Sequence, residues 1–175
     1  MNQILLAFLE ICLLRRKPQD LPSSDSLLIV AGVLVVLSYT VTNATHDGLL
    51  VKLIVAVAQI ATFSGVVWLV LKIRNFEQRW KQTTTALFGS AAIFQFATLP
   101  FMVLFDQGTP PSPVPQPILI HLFIGIWYLA VMAHILRHSL ETSMARGVMS
   151  GLFCQLTTVF ALLFVLQILG INTAD

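Results

Sequence analysis

The chain has 175 residues, 57% of them hydrophobic and only 10% charged, with a net charge of +2 and a mean hydropathy of +0.85. A soluble domain carries about 25% charged residues, so this chain has too little polar surface to cover its apolar mass. An ordinary soluble globule, a disordered chain and a nucleic-acid binder are excluded, and a polytopic membrane protein remains.

The first element is short. Ile4 to Leu14 is apolar except for Glu10, and eleven helical residues reach only about 16 Å. Arg15, Arg16 and Lys17 follow, and Pro18 and Pro22 then stop any helix. A signal peptide has the opposite order, with positive charge first and a small-residue cleavage site last. Residues 1–26 are therefore expected to be a basic segment on the cytoplasmic side. Its helix, over Asn2 to Leu14, is expected either to lie in the membrane interface, tethered by the basic cluster, or to pack on the bundle. Its apolar residues run nearly all round and show no clean polar face.

Five apolar runs follow, over 27–43, 49–73, 83–105, 118–138 and 147–171. About 20 apolar residues cross a hydrocarbon core of about 30 Å. The runs lack the alternation of an outer-membrane barrel. The predicted fold is an all-α integral membrane protein, a single domain of five transmembrane helices over 27–175 behind a short N-terminal helix. Pro100, inside the third run, is expected to kink it.

Arg15, Arg16 and Lys17, then Lys72, Arg74, Arg79 and Lys81, then Arg137 and Arg146 fall on one side of this plan, and only Lys52 falls on the other. The positive-inside rule places the nine in the cytoplasm, with the N-terminus inside and the C-terminus outside. The outer loops are Ala44 to Gly48 and Asp106 to Pro117. The second holds five prolines and is expected to be a stiff extended spacer.

Candidate chemistry is sparse. Cys12 and Cys154 form no CxxC and read as small packing residues. His134, His138 and Glu141 are spaced i, i+4 and i+7, on one stripe of the fourth span and its extension. Two His at i, i+4 suit a metal, but no facing ligand is evident, so neither metal nor haem is expected. Near the outer surface are Lys52, His121 and Asp106. Deep in the spans lie amides and hydroxyls: Gln59, Thr62 and Ser64, then Gln95 and Thr98, then Gln155, Thr157 and Thr158. They are expected to hydrogen-bond between helices. No span carries the buried carboxylate of a proton-coupled carrier. With no serine–histidine–acid set, HExxH, P-loop or GxGxxG, no enzyme and no cofactor is expected. Gly147 and Gly151, and the small residues Ala86 to Ser90 including Gly89, mark close helix packing.

The segments Leu13-Leu-Arg-Arg-Lys-Pro-Gln-Asp-Leu-Pro-Ser-Ser24 and Arg79-Trp-Lys-Gln-Thr-Thr-Thr-Ala-Leu-Phe-Gly-Ser90 resemble those of the small bacterial proteins grouped with the Yip1 family. The five-span plan fits as well. The resemblance implies a bacterial inner-membrane protein. Eukaryotic Yip1 proteins are linked to vesicle trafficking and small GTPases through longer cytosolic N-terminal regions. With 26 residues before Leu27, that role is not expected here, and the resemblance supports topology while leaving function open.

Two functions fit these features. The first is a non-catalytic accessory or organising subunit that contacts lipid or another membrane protein, or associates with itself. Arg15, Arg16, Lys17, Arg79 and Lys81 would form an adhesive face for anionic headgroups or an acidic partner. Trp80 would serve as an interfacial anchor, and Gln82 to Thr85 as a helix cap. The slim stretch around Gly89 and Ser90 is either a helix start or a dock for a partner's membrane segment. The alternative is a small transporter or channel component. A carrier needs a polar cavity near the midplane, whereas an accessory protein should have a dry core and an exposed slim or aromatic face.

Overall fold

In the computed structural model, which describes residues 2–42, 48–106 and 116–168, the chain is all helical. Its elements are α1 (Asn2–Cys12), α2 (Asp25–Thr42), α3 (Leu49–Ile73), α4 (Trp80–Asp106), α5 (Gln116–Ser139) and α6 (Met144–Ile168), with single 3₁₀ turns at Pro18–Asp20 and Glu77–Arg79. Helices α2 to α6 are each long and apolar enough to cross a membrane. They match the five predicted runs to within three residues at each described end. Most of both outer loops, including Pro110, Pro111, Pro113 and Pro115, and the end of the last run lie outside the described residues, while Pro117 falls in α5. Helix α4 passes through Pro100.

The spanning helices form a closed ring in the order α2, α3, α6, α5, α4 and back to α2. In lipid, both faces of such helices are apolar, so the inward face is marked by fit rather than by hydrophobicity. Helix α2 turns in Ala31, Gly32, Val35 and Ser38, a narrow stripe at helical spacing, and leaves Ile29, Val30, Val33, Leu37 and Val41 exposed. At Gly147, an added Cβ would lie 2.5 Å from the Ala133 carbonyl oxygen. At Gly151 it would lie 3.1 Å from the Met132 side chain. Both glycines thus bring α6 against α5 inside one chain.

The two ends of the ring differ. In α4, Thr83 to Ser90 are buried all round; in α5, Val131 to Leu136 are too. These stretches form the dense half of the bundle. In the first half of α5, Leu119, His121, Leu122, Phe123, Gly125, Ile126 and Trp127 are exposed, so the same helix stands clear of the packing in the opposite half of the bundle.

Helix α1 packs on the dense half. It buries Ala7, Phe8, Ile11 and Cys12 against α4 and α5 and exposes Ile4, Leu5, Leu6 and Leu9. Phe8 lies against Gly89, nine residues into α4, or about 13 Å along its axis. The Trp127 indole N–H donates to the Cys12 carbonyl at 3.1 Å, again well inside a span. The slim stretch at Gly89 and Ser90 is therefore filled by the chain's own first helix. This corrects the expectation of a dock for a partner at that point, because the ring of Phe8 already occupies the groove.

Three helices end alike at the basic end. Leu14, Asn75 and Glu141 have φ of 61°, 60° and 49°, and each follows a helix. The next residue's N–H bonds five positions back, as Arg15 to Glu10 (2.8 Å), Phe76 to Leu71 (2.8 Å) and Thr142 to Arg137 (2.9 Å). This is the Schellman closure, which satisfies the last carbonyls by turning one residue left-handed.

Candidate functional site

The sequence-predicted residues gather at the basic end, and most are engaged there. Arg79 donates to the Ser139 carbonyl (3.2 Å), pairs with Glu141 and lies over the Phe76 ring. Lys81 pairs with Asp25 at 2.7 Å. Arg16 pairs with Glu10 at 3.1 Å and reaches Asp20 at 3.8 Å, while Arg15 and Lys17 are exposed. The Trp80 indole donates to the Ser64 carbonyl (3.1 Å), which ties α4 to α3. Of the expected adhesive face, Arg16, Arg79 and Lys81 thus pair with the chain's own carboxylates, while no carboxylate among the described residues pairs with Arg15 or Lys17.

Two further expectations are corrected. Glu141 does not continue the stripe of His134 and His138, because α5 closes at Ser139 and the left-handed turn at Glu141 sends that side chain to Arg79. Gln82 to Thr85 do not cap α4, which starts at Trp80. Gln82 instead donates to the carbonyls of Gln19 (3.2 Å) and Leu21 (2.8 Å). His134 Nε2 meets the Arg16 carbonyl at 3.1 Å, and His138 Nε2 meets the Arg137 guanidinium at 3.2 Å. Both Nε2 atoms are in use, and among the described residues no group of three His, Cys, Asp or Glu is placed to hold a metal. Cys12 is buried, which pushes its thiol above the ordinary 9.0, with the Ser90 hydroxyl drawing it back in part.

The arrangement that stands out was not predicted as a site. Within the ring, from Phe88 of the dense half toward the open half, lies a cavity of about 240 Å³ that all five spanning helices line. Gln59 comes from α3, Gln95 from α4 and Gln155 from α6. Tyr39, Thr98, His121, Tyr128 and Thr158 add polar groups, and Phe63, Phe88 and Phe94 supply apolar walls. Gln59 and Gln155 sit near the middles of 25-residue helices. Phe94 and Tyr128 meet edge to face at 5.6 Å. The cavity is not enclosed, since His121 and Gly125 are exposed.

Its hydrogen bonding is incomplete. The Ser38 hydroxyl donates to Gln95 Oε1 at 2.7 Å, which leaves the Gln95 amide nitrogen as the donor end. Thr62, Thr98 and Thr158 do not bridge helices as expected. They donate to carbonyls three or four residues back in their own helices, those of Ala58, Gln95 and Cys154, the usual recourse of a hydroxyl on a helix in a nonpolar setting. Gln59 Oε1 is buried with no partner. The sequence showed these residues only as separate polar positions in three runs. The signal that could have joined them is that Gln59 and Gln155 lie at similar depth in helices of equal length.

Fold and cavity together define a multi-pass helical membrane protein. No family model, no curated protein and no solved structure matches the chain.

Proposed function

We propose that the chain is a small non-catalytic carrier in the bacterial inner membrane, with the basic end in the cytoplasm and the glutamine-lined cavity facing outward. One observation carries this reading: three glutamines from three helices converge on a cavity near mid-membrane, and Gln59 Oε1 there is buried without a partner. A buried carbonyl oxygen left unpaired costs about 1–3 kcal/mol, and an occupant that donates a hydrogen bond offsets this. The glutamines bring amides and no formal charge, so the fitting occupant is a small uncharged molecule with hydrogen-bonding groups and some apolar surface. Binding of this kind calls for no cofactor.

Proteoliposomes challenged with glycerol, urea and acetamide test the reading by light scattering. Flux of at least one solute is expected to exceed that of empty vesicles and to fall several-fold in Gln95→Leu and Gln155→Leu. Equal flux in loaded and empty vesicles for all three refutes it. The orientation is tested separately, by a reporter near Gln78 that reads cytoplasm and one after Asp175 that reads the outer compartment.

The Yip1-like assignment belongs to the same proposal. The two segments that carry the resemblance are bonded to each other, through Gln82 to Gln19 and Leu21, so they form one structural unit. A second reading, the accessory subunit, is favoured by a stripe on α6. Met149, Phe153, Leu156, Phe160 and Leu163 recur at helical spacing and are all exposed. A stoichiometric membrane protein that co-purifies and is lost on Phe153→Ala with Phe160→Ala would support that reading.

A further inference from the structure

At the basic end, two cavities stand side by side and share Thr142. One, of about 500 Å³, is polar and is lined by Lys17, Gln19, Asp20, Arg79, Arg137 and Glu141, among others. The other, of about 350 Å³, exposes a mainly apolar surface along Val70, Ile73, Leu140 and Met149, between α3 and α6, and is also lined by Arg74, Arg146 and Ser150. A charged compartment joined to an apolar one at the level of the helix ends matches the shape of a phospholipid. From these paired cavities we infer a binding site for a single glycerophospholipid, with its phosphodiester headgroup in the polar cavity and an acyl chain along the apolar one.

The chemistry of the polar cavity narrows the headgroup. In the polar cavity three cations, Lys17, Arg79 and Arg137, face two carboxylates, Asp20 and Glu141, which leaves one positive charge, and Arg74 and Arg146 of the adjoining cavity add to it. Glu141 is taken by Arg79, and Asp20 pairs with Arg16 and accepts the Lys17 backbone N–H at 3.2 Å. Among the described residues no carboxylate pairs with the Lys17 or Arg137 side chains. These two are placed to take a phosphate monoanion. Gln19 is held by donation to the His138 carbonyl at 2.7 Å. Its Oε1 and the Thr142 hydroxyl are both buried without a partner. Thr142 offers a donor to a phosphate oxygen, and Gln19 Oε1 waits for one. A headgroup with one net negative charge and a hydroxyl, such as phosphoglycerol, satisfies all of these groups together. Basic pockets between spans are known places for anionic headgroups. This site is separate from the glutamine-lined cavity, and its test does not depend on transport.

Native mass spectrometry of protein extracted in mild detergent, followed by exchange into nanodiscs of phosphatidylglycerol or phosphatidylethanolamine, tests the inference. One phosphatidylglycerol per chain is expected to be retained. Retention should drop at least tenfold in Lys17→Gln with Arg137→Gln. Val70→Trp, which fills the apolar cavity and leaves every charge in place, should also reduce it. Unchanged elution on size exclusion shows that each variant remains folded. Equal retention of phosphatidylethanolamine overturns the monoanion assignment. Thermal stabilisation by inorganic phosphate or free glycerophosphoglycerol, with no lipid retained, overturns the lipid and leaves a soluble phosphate site. Retention unchanged in both folded variants overturns the site.

Discussion

Phe8 stands where a side chain at Gly89 would be. A Cβ added at Gly89 would overlap the Phe8 ring, so the width of α4 at one residue decides whether α1 can seat. Gly89→Ala is expected to cost about 1–3 kcal/mol, the usual penalty for overpacking. In a Phe8→Ala background the same substitution should cost less than about 1 kcal/mol, because the group it collides with is gone. Unfolding in detergent across the four-member cycle measures this coupling. An equal cost in both backgrounds would show that α1 is not held at Gly89.

Cys12 gives a pH-dependent readout of the same contact. Burial raises its thiol above 9.0, so in the folded protein it stays protonated at neutral pH and the nucleophilic thiolate is scarce. In a Cys154→Ser background, alkylation by a neutral maleimide is expected to be slow at pH 7 and to keep rising through pH 9. The linkage has a definite sign. The folded value lies above the unfolded one, so the stability contribution is intact below 9.0 and is lost as pH climbs through the raised value. Phe8→Ala should speed the reaction at fixed pH by loosening α1. A rate that levels off below pH 9 would contradict the burial.

The plan of the bundle was legible because one physical rule dominates it: a span must be long and apolar, and each of the five runs is. Where the chain turns was less so. Glu141 follows His138 at helical spacing, yet the Schellman turn that removes it from the stripe is closed by two backbone hydrogen bonds, Thr142 N–H to the Arg137 carbonyl and Glu141 N–H to the His138 carbonyl, and its sequence gives no glycine to mark the spot. Gly89 was legible as a slim position but not for what fills it, since Phe8 lies 81 residues earlier. The glutamine-lined cavity was hidden for a similar reason. Gln59, Gln95 and Gln155 sit in separate runs, and only the ring order brings them together.

Arg79 is expected to matter for stability more than for lipid attraction. Its side chain is 24% exposed, against 60% for Glu141, and it also holds the end of α5 through the Ser139 carbonyl. Arg79→Gln should cost about 1–3 kcal/mol, as for loss of a charged hydrogen bond. Glu141→Gln should cost less than about 1 kcal/mol, as for a solvated pair. Thermal unfolding of the two variants in one detergent compares them. A larger loss for Glu141→Gln would place the strength in the ion pair and not in the helix end. Under the proposed orientation neither variant should alter topology, because the other cations at that end still favour it.

Gln59 connects the cavity to the solute binding proposed for it. Its Oε1 has no partner, so the amide adds a desolvation cost to the fold. Gln59→Leu keeps nearly the same volume and removes the unpaired oxygen. It is expected to stabilise the protein by about 1 kcal/mol while reducing solute flux. Gain of stability together with loss of activity is the pattern of a residue kept for binding. The two measurements have distinct meanings. If stability rises and flux is unchanged, the oxygen is unpaired but the solute does not use it. If stability falls, a permanently bound water already satisfies the oxygen, and Gln59 is part of the packing. Only the opposite movement of the two, a higher unfolding temperature with slower flux, places the solute's hydrogen bond on Gln59.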